Sequence, residues 1–527
     1  MATGDHQRVF VLGLDGVPFD LLDAWIEAGE LDNFARLADG GVFASLRSTV
    51  PATTALAWPS IASGCWPDRH GCYGFYRLTA DYRQSANSSA DIDQPRLWDM
   101  LSPSVVGNVP MTYPAGEIDG KLVAGMMTPN RNQGFVHPDE LGQEIETRIP
   151  DYSIGLDWGE YHDRKDDLVA DVAAMVDTRR ELMRLLMEDD EWRLFFFVFT
   201  APDRLQHLVW DEEVLLQHYR HLDNVVGEVM DYVTRSDSTL YVVSDHGFGP
   251  ISWFVNANTI LERNGYLTVR TDEGTRQLFD RLGIRKSRVL GAFDAFGISE
   301  RALMAHLPQS VVDAAATRIP GEHGRYDVDY SESMAFVHGP GNVYINDADR
   351  FEKGTIPPSN RAAVKADLIE VFSGVSTPSG ASALEVHDGA ELFPNDPRSP
   401  DVVIDGANGC KVTTELSGEP LSDPGSHAGD HRQEGILFVW GPPIDAGGHV
   451  TDATVVDIAP TVLHNAGEPV PRSADGRVLT EVFAAGSPPT REVVRQPYSP
   501  VSRAREPPSR DTDEVEARLK GLGYLDS

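Results

Sequence analysis

The sequence predicts an α/β protein, a mostly parallel sheet flanked by helices with an inserted cap region. Three observations carry the prediction. Short, almost wholly apolar runs recur (VFVLGL ending at Leu14, LFFFVF from Leu194 to Phe199, TLYVVS ending at Ser244), the pattern of strands buried on both faces. Long segments with helical periodicity alternate with them. Finally, each run is followed by Asp (Asp15, Asp203, Asp245) beside or near a turn-forming Gly or Pro, at the strand edge where open α/β sheets place ligands.

Composition sets the limits. At 527 residues the chain can hold one large domain or about two to three ordinary ones. Against 81 Asp and Glu stand 45 Lys and Arg, of which only seven are Lys, for a formal net charge of −36. Such a surface repels nucleic-acid backbones and anionic membranes, which excludes both as general partners. Acidic, Lys-poor chains suit cytoplasms that hold molar salt, so a halophilic habitat is expected. Cys65, Cys72 and Cys410 have no framework or Cys-x-x-Cys spacing, which fits a reduced compartment. The apolar N-terminal run lacks a basic region before it and leads straight into Asp15, so it reads as a first strand rather than a signal peptide. A cytoplasmic location is expected.

Taken in order, Arg8 to Leu14 is the first strand, and Asp15-Gly16 ends it. Asp15 is either a turn residue or a ligand carboxylate. The stretch TTALAWPSIASGCWPDRHG, Thr53 to Gly71, places Thr54 before the periodic Ala57, Ile61 and Ala62 and ends in a Gly/Pro/His turn. It predicts a helix with Thr54 near its N-cap, where a hydroxyl can cap or can attack a phosphate held by free backbone N–H groups. Residues 105–129 read as short strands and loops. Leu168, Val172, Met175, Arg179, Leu182 and Leu186 then mark an amphipathic helix. The strand Leu194 to Thr200 delivers APDRLQH, and a helix starting near Pro202 sets Asp203 and His207 on one face, as metal ligands or as an ion pair. A helix over about Glu212 to Val233 precedes the strand Thr239 to Ser244, which ends in Asp245-His246-Gly247. Both side chains can reach one metal if the chain is already turning there.

From 251 to 399 the pattern loosens around short periodic segments such as Gln309 to Thr317 and Ala362 to Val371, and it reads as an insertion or cap that selects substrate. The core, residues 1–250 and 400–485, resumes with Pro400 to Ile404. GSHAGDHR follows, where either His427 or His431 supplies a further ligand, and then the strand Gly435 to Trp440. Residues 486–512 read as a Pro/Arg-rich connector and 513–527 as a C-terminal helix. Together Asp15, Thr54, Asp203, His207, Asp245, His246 and one of the two histidines offer oxygen and imidazole donors without thiolate, which suits Zn²⁺ or Mn²⁺. Two ions need about six or seven such groups.

In LGLDG (12–16), T-x-x-A-W-x-S-I-x-S-G-x-x-P-x-x-H-G (54–71), PDRLQH (202–207), SDHG (244–247) and GDHRQEG (429–435), the chain resembles the type I phosphodiesterase/nucleotide pyrophosphatase branch of the alkaline phosphatase superfamily. NVPMTYP (108–114) and GNVYIN (341–346) are weaker matches, and all stand in the family's order. The resemblance implies an alkaline-phosphatase-like core and a metal-dependent phosphoric ester hydrolase with Thr54 as nucleophile, forming a phosphothreonine. It implies two divalent cations, Zn²⁺ before Mn²⁺. One is held by Asp15, Thr54, Asp245 and His246, the other by Asp203, His207 and His431. His431 is taken over His427 because the family's last ligand precedes an Arg and the following strand. The implied substrate is a small-molecule phosphate ester or diphosphate.

Two features depart from that pattern. Nucleotide pyrophosphatases carry Asn five residues after the turn histidine, His70, where this chain has Phe75. Cys65 to Arg69 satisfies the sulfatase pattern C-x-P-x-R, but the sulfatase nucleophile precedes the helix, where Thr54 stands, and Cys65 follows it. A phosphotransferase or mutase on the same site, a sulfatase-like hydrolase and a non-catalytic metal-binding scaffold are the alternatives.

Overall fold

The run LFFFVF makes the centre of the fold, because none of its residues can face water. In the computed structural model, which describes residues 7–498 apart from 133, 157–160, 190, 271–327, 488 and 490, this run is a strand buried along its whole length. The expected segment Gln309 to Thr317, the later part of the 486–512 connector and the helix 513–527 lie outside the described residues.

The main elements in chain order are β1 (Arg8–Leu14), α1 (Phe19–Glu27), α2 (Asp32–Gly40), β2 (Gly41–Arg47) and α3 (Thr54–Ser63). They continue with β3 (Ser104–Gly107), β4 (Gly120–Val123), β5 (Val136–His137), α4 (Lys165–Leu186), β6 (Leu194–Phe199), α5 (Ala201–Leu208), α6 (Glu212–Arg235) and β7 (Ser238–Val243). Then come α7 (Arg361–Ser373), β8 (Glu434–Trp440) and α8 (Ile458–Asn465). The eight strands form one sheet in the order β2-β8-β7-β1-β6-β3-β4-β5. All run in one direction except β8 and β5.

Alternation of side chains sorts the two faces. Phe10, Leu12, Phe195 and Phe197 point to the side covered by α1, α2, α4 and α6, and Phe10 stacks on Phe195 at 4.5 Å. Val9, Val11, Phe196 and Val198 point to the side covered by α3 and α8. Each fully buried Phe contributes about 1.5–3 kcal/mol relative to an exposed one, so β6 anchors both layers. The three middle strands β7, β1 and β6 are neighbours and parallel, so their carboxyl ends emerge side by side. Topology thus gathers residues that are far apart in sequence.

A second, antiparallel sheet, ordered Ala335–His338, Asn342–Ile345, Val402–Gly406, Leu384–Asp388, packs with α7 around its own apolar cluster. Val402–Gly406 corrects the sequence reading, which ended the insertion at 399 and returned this strand to the core. Its register, Asn342 opposite Val403 and Glu385 opposite Asp405, makes it an inner strand of the second sheet. Cys410–Thr413, beyond it, pairs with Trp253–Asn256. A second correction concerns the connector. Arg495–Gln496 pairs with Val470–Pro471, and the Arg495 guanidinium donates to the carbonyls of Ala474 and Gly476, so this part is docked. Among the described residues no helix is long and apolar enough to cross a membrane.

Candidate active site

Asp15 leaves β1 in a turn that only a small residue permits. Gly16 has φ +74°, and a side chain there would press on Asp203, its Cβ 3.1 Å from both Cα and Cβ. That closeness is the point of the turn, because the Asp203 amide also donates to the Asp15 carbonyl at 3.1 Å. From β7, Asp245 follows Ser244 and accepts the Gly16 amide on Oδ1 at 3.2 Å. Asp15, Asp203 and Asp245 are each at most 1% exposed.

The first cluster unites Asp15, Asp245 and His246 with Thr54. His246 Nε2 lies 3.3 Å from Asp245 Oδ2 and 3.6 Å from Asp15 Oδ1. The Thr54 hydroxyl lies 3.3 Å from His246 Nε2 and 3.5 Å from Asp15 Oδ1. The structure corrects the capping alternative: Thr53 is the N-cap and makes no side-chain cap bond, while Thr54 is the first helical residue and its hydroxyl turns to the carboxylates. The second cluster unites Asp203 and His207, on one face of α5, with His431. Asp203 Oδ1 lies 3.3 Å from His207 Nε2 and 3.1 Å from His431 Nε2, and the two imidazole nitrogens are 3.2 Å apart. Stacking of the His246 and His431 rings at 3.8 Å joins the clusters.

His431 comes from a two-stranded ribbon, Gly247–Pro250 with Gly429–Arg432, in which it stands opposite Phe248. His427 lies outside the cluster; its ring is in edge contact with Phe254 at 5.4 Å. Thus the loop's two histidines part company as soon as one of them is fixed by strand pairing.

Backbone carbonyls select the imidazole tautomers. His431 Nδ1 lies 2.9 Å from the Ala52 oxygen and His246 Nδ1 2.9 Å from the Gly247 oxygen. An Nδ1–H donates in each case, which leaves Nε2 of the neutral ring with its lone pair toward the carboxylates. Burial, then the neighbouring His431 imidazole, pushes His246 down to about 3, and burial pushes His207 down to about 4 against the pull of Asp203. Burial and the neighbouring Asp245 raise Asp15 well above the carboxylate range, and burial and Asp203 do the same to Asp245. The nearest guanidinium, Arg204, stands 3.9 Å from Asp203 Oδ2. Among the described residues none donates a hydrogen bond to the buried Asp245 Oδ2. Lone pairs and carboxylates converging in a buried site at these separations fit divalent cations.

Sequence reasoning missed three participants. Trp58, one turn into α3, donates from Nε1 to Asp15 Oδ2 at 3.0 Å. Gln206 donates to the Gly16 carbonyl at 2.8 Å and accepts from Tyr219, tying α6 to the β1 turn. Asp430 approaches the His207 and His431 ring nitrogens within 4.8 Å and pairs with Lys411 at 3.3 Å. Trp58 and Gln206 lie inside quoted motifs, so position was available as a signal; for Asp430 only adjacency to His431 was. His70, buried in the turn after α3, contacts the Ser60 hydroxyl at 3.1 Å and accepts the Cys72 amide at 3.3 Å, so it braces the turn. Cys65 sits past the far end of α3, about 15 Å of helix from Thr54. Its thiol donates to the Ser473 carbonyl, and burial pushes it up to about 12. That placement sets Cys65 apart from the Thr54 site, as a turn residue. A cavity opens between the His207/His431 side of the site and the second sheet, and Thr53, Phe75, Asn342, Lys411 and His427 line it.

Neighbouring strand ends carry two carboxylate–imidazole clusters toward a hydroxyl at a helix start, an arrangement suited to two-metal phosphoester chemistry. The chain is also similar to solved structures over most of its length. It matches phosphonoacetate hydrolase from Sinorhizobium meliloti, in complex with phosphonoformate, at TM-score 0.55 and 14% identity, covering 88% of this chain and 96% of that one. It matches human ectonucleotide pyrophosphatase/phosphodiesterase 5 at TM-score 0.50 and 10% identity, covering 89% of this chain and 97% of that one. No curated protein matches the sequence. Residues 9–433 match the model of the type I phosphodiesterase / nucleotide pyrophosphatase family, and the chain belongs to that family, whose members are metal-dependent.

Proposed function

We propose that the protein hydrolyses small-molecule phosphoric esters or diphosphates, of the phosphodiesterase/pyrophosphatase type, through Thr54. The observation that carries the reading is the Thr54 hydroxyl, freed from capping and set 3.3 Å from His246 Nε2 and 3.5 Å from Asp15 Oδ1. Asp15, Thr54, Asp245 and His246 would hold one divalent cation, and Asp203, His207 and His431 the other. The mixed imidazole and carboxylate set favours Zn²⁺, with Mn²⁺ second. When bound, two such ions lower the pKa of a coordinated hydroxyl and neutralise phosphoryl oxygens.

The chain's own groups then do the following. Thr54 Oγ1 loses its proton to solvent and bonds to phosphorus, while the bond to the leaving oxygen breaks on the opposite side. The first two amides of α3, Thr54 and Ala55, ahead of the Leu56 and Ala57 amides that donate to the Thr53 carbonyl, would donate to the phosphoryl oxygens. Trp58 keeps Asp15 in place throughout, because its indole N–H occupies one carboxylate oxygen. A water molecule attacks the phosphothreonine, the P–Oγ1 bond breaks, and Thr54 recovers a proton. The bound phosphonates of the bacterial neighbour support a small phosphorus anion as ligand.

Thr54→Ala tests the reading. It should retain divalent metal, measured by elemental analysis, yet lose at least about 1000-fold in release of 4-nitrophenol from model phosphodiesters. Undiminished turnover in that variant would overturn the role of Thr54.

A further inference from the structure

The polar groups on the walls of the cavity beside His207 and His431 are already engaged with the protein. Tyr73 turns its hydroxyl to Asp396 at 3.2 Å, Gln84 donates to His338 at 2.9 Å, and Thr413 donates to Asn256 at 2.8 Å. Asp405 accepts from Gln433 at 3.1 Å, and Lys411 pairs with Asp430 at 3.3 Å, so the ammonium is already neutralised. A ligand hydroxyl or amide entering here would exchange bonds with these partners rather than add to them, and such an exchange gains little.

What the walls offer a ligand is therefore apolar. Phe75 and Tyr76 come from the segment after α3, Val337 and Pro340 from the first hairpin of the second sheet, and Val412 from Cys410–Thr413. Phe75, Tyr76 and Val337 keep 8%, 8% and 5% of their surface accessible, unlike the core strands behind them, and Pro340 is exposed. Size then narrows the class. The cavity measures about 150 Å³. An apolar cavity of about that volume takes up a molecule such as benzene, whereas larger ligands fill pockets of about 300–1,000 Å³. A nucleoside is too large for it.

Position ties the cavity to the chemistry, since His207, His431 and Thr53, the neighbour of Thr54, belong to its wall. We propose that the cavity is a subsite for one compact apolar substituent of the phosphoric ester, an alkyl or aryl group of about six carbons, with Phe75 as the specificity-determining wall. The proposal rests on the phosphoric ester reading above and names the substrate class for that site.

Cyclohexylmethyl and methyl 4-nitrophenyl phosphate share a leaving group and a primary alkyl linkage, so their kcat/KM ratio reads the subsite. The wild-type protein should favour the cyclohexylmethyl ester at least about tenfold. Phe75→Leu should keep most of that preference, and Phe75→Asn should bring the ratio toward one. Pro340→Glu, a change at an exposed position that sets a charge at the cavity wall, should do the same without disturbing the fold. Calorimetric binding of cyclohexylmethylphosphonate against methylphosphonate to the same four proteins should follow the same order. Turnover with a ratio near one, together with equal binding of the two phosphonates, overturns the subsite and leaves the hydrolase intact. A ratio near one with Phe75-dependent preference for cyclohexylmethylphosphonate keeps the subsite and gives it to the leaving group. Absence of turnover with that same preference keeps the subsite and overturns the Thr54 reading, and equal binding without turnover overturns both. If uridine 5′-(4-nitrophenyl phosphate) is preferred to the cyclohexylmethyl ester, the size limit fails and the compact apolar class is overturned.

Discussion

Trp58 shows how one side chain couples packing to chemistry. Its ring crosses β1 only because position 13 is Gly: a Cβ there would stand 2.4 Å from the indole and 2.8 Å from Val198. The reward for that close approach is the Nε1–H bond to Asp15 Oδ2, which leaves Oδ1 facing Thr54. Trp58→Phe keeps most of the apolar contact and removes the donor. A hydrogen bond to a charged group is worth about 1.5–3 kcal/mol, so phosphodiester turnover should fall about 10- to 100-fold while the thermal midpoint moves little. Wild-type turnover in Trp58→Phe would show that Asp15 is held without it. Trp58 stands inside the quoted motif, but its role was not legible there, because hydrogen-bond partners from another strand leave no trace in periodicity. Asp15, Asp203 and Asp245 were legible for the opposite reason: strand ends are local features, and three ends carrying the same residue type point to one edge. Which oxygen of each faces which imidazole was not legible, since that depends on the order β7-β1-β6.

At the scale of the element, α3 and its closing turn form a single device. The helix is buried on every side, so its sequence has no polar stripe, and its position was read from the periodic Ala57, Ile61 and Ala62 between Thr54 at one end and the Gly64 to Gly71 turn at the other. His70 holds that turn by its contacts to Ser60 and Cys72, and burial pushes it down to about 3. Unfolded, it titrates near 6.5. Between those values the unfolded chain binds a proton that the folded chain does not, so the contribution of neutral His70 is intact above about 6.5 and is lost as pH falls. The loss is about 1.4 kcal/mol per pH unit. His70→Gln, which does not titrate, should therefore show its full destabilisation at pH 7.5 and a deficit about 2 kcal/mol smaller at pH 5, measured by urea unfolding of both proteins at each pH. A deficit that does not change with pH would mean that His70 titrates alike in the folded and the unfolded chain. Strands β1, β6, β7 and β8 and helices α4 to α7 were legible from period and length. Val402–Gly406 was not assignable to a sheet, because VVI fits an inner strand of either one, and only its partners Val403↔Asn342 and Ile404↔Val386 decide.

For the whole molecule the governing quantity is the charge of −36. Attraction and repulsion both weaken as salt is added, and they oppose each other in stability. On the attractive side are surface pairs such as Arg148–Glu188 and Arg263–Glu419, and exposed pairs of this kind are each worth about 0–1 kcal/mol. On the repulsive side, 81 acidic groups outnumber 45 basic ones, and every unpaired carboxylate adds to the field felt by all the others. At 0.1 M salt the screening length is about 10 Å, long enough for neighbouring surface acids to repel; at 1 M it is about 3 Å, which leaves mainly direct contacts. Because repulsion has the larger reach and the greater number of members, its removal should dominate. The thermal midpoint should rise steadily between 0.1 M and 2 M KCl, a salt chosen because sulfate would strengthen apolar burial in any protein. The two carboxylate–imidazole clusters should respond less than the surface, since Asp15, Asp203 and Asp245 are buried. A midpoint that stays level or falls with KCl would show that the paired arginines outweigh the excess acid, and the high-salt habitat would lose its physical support.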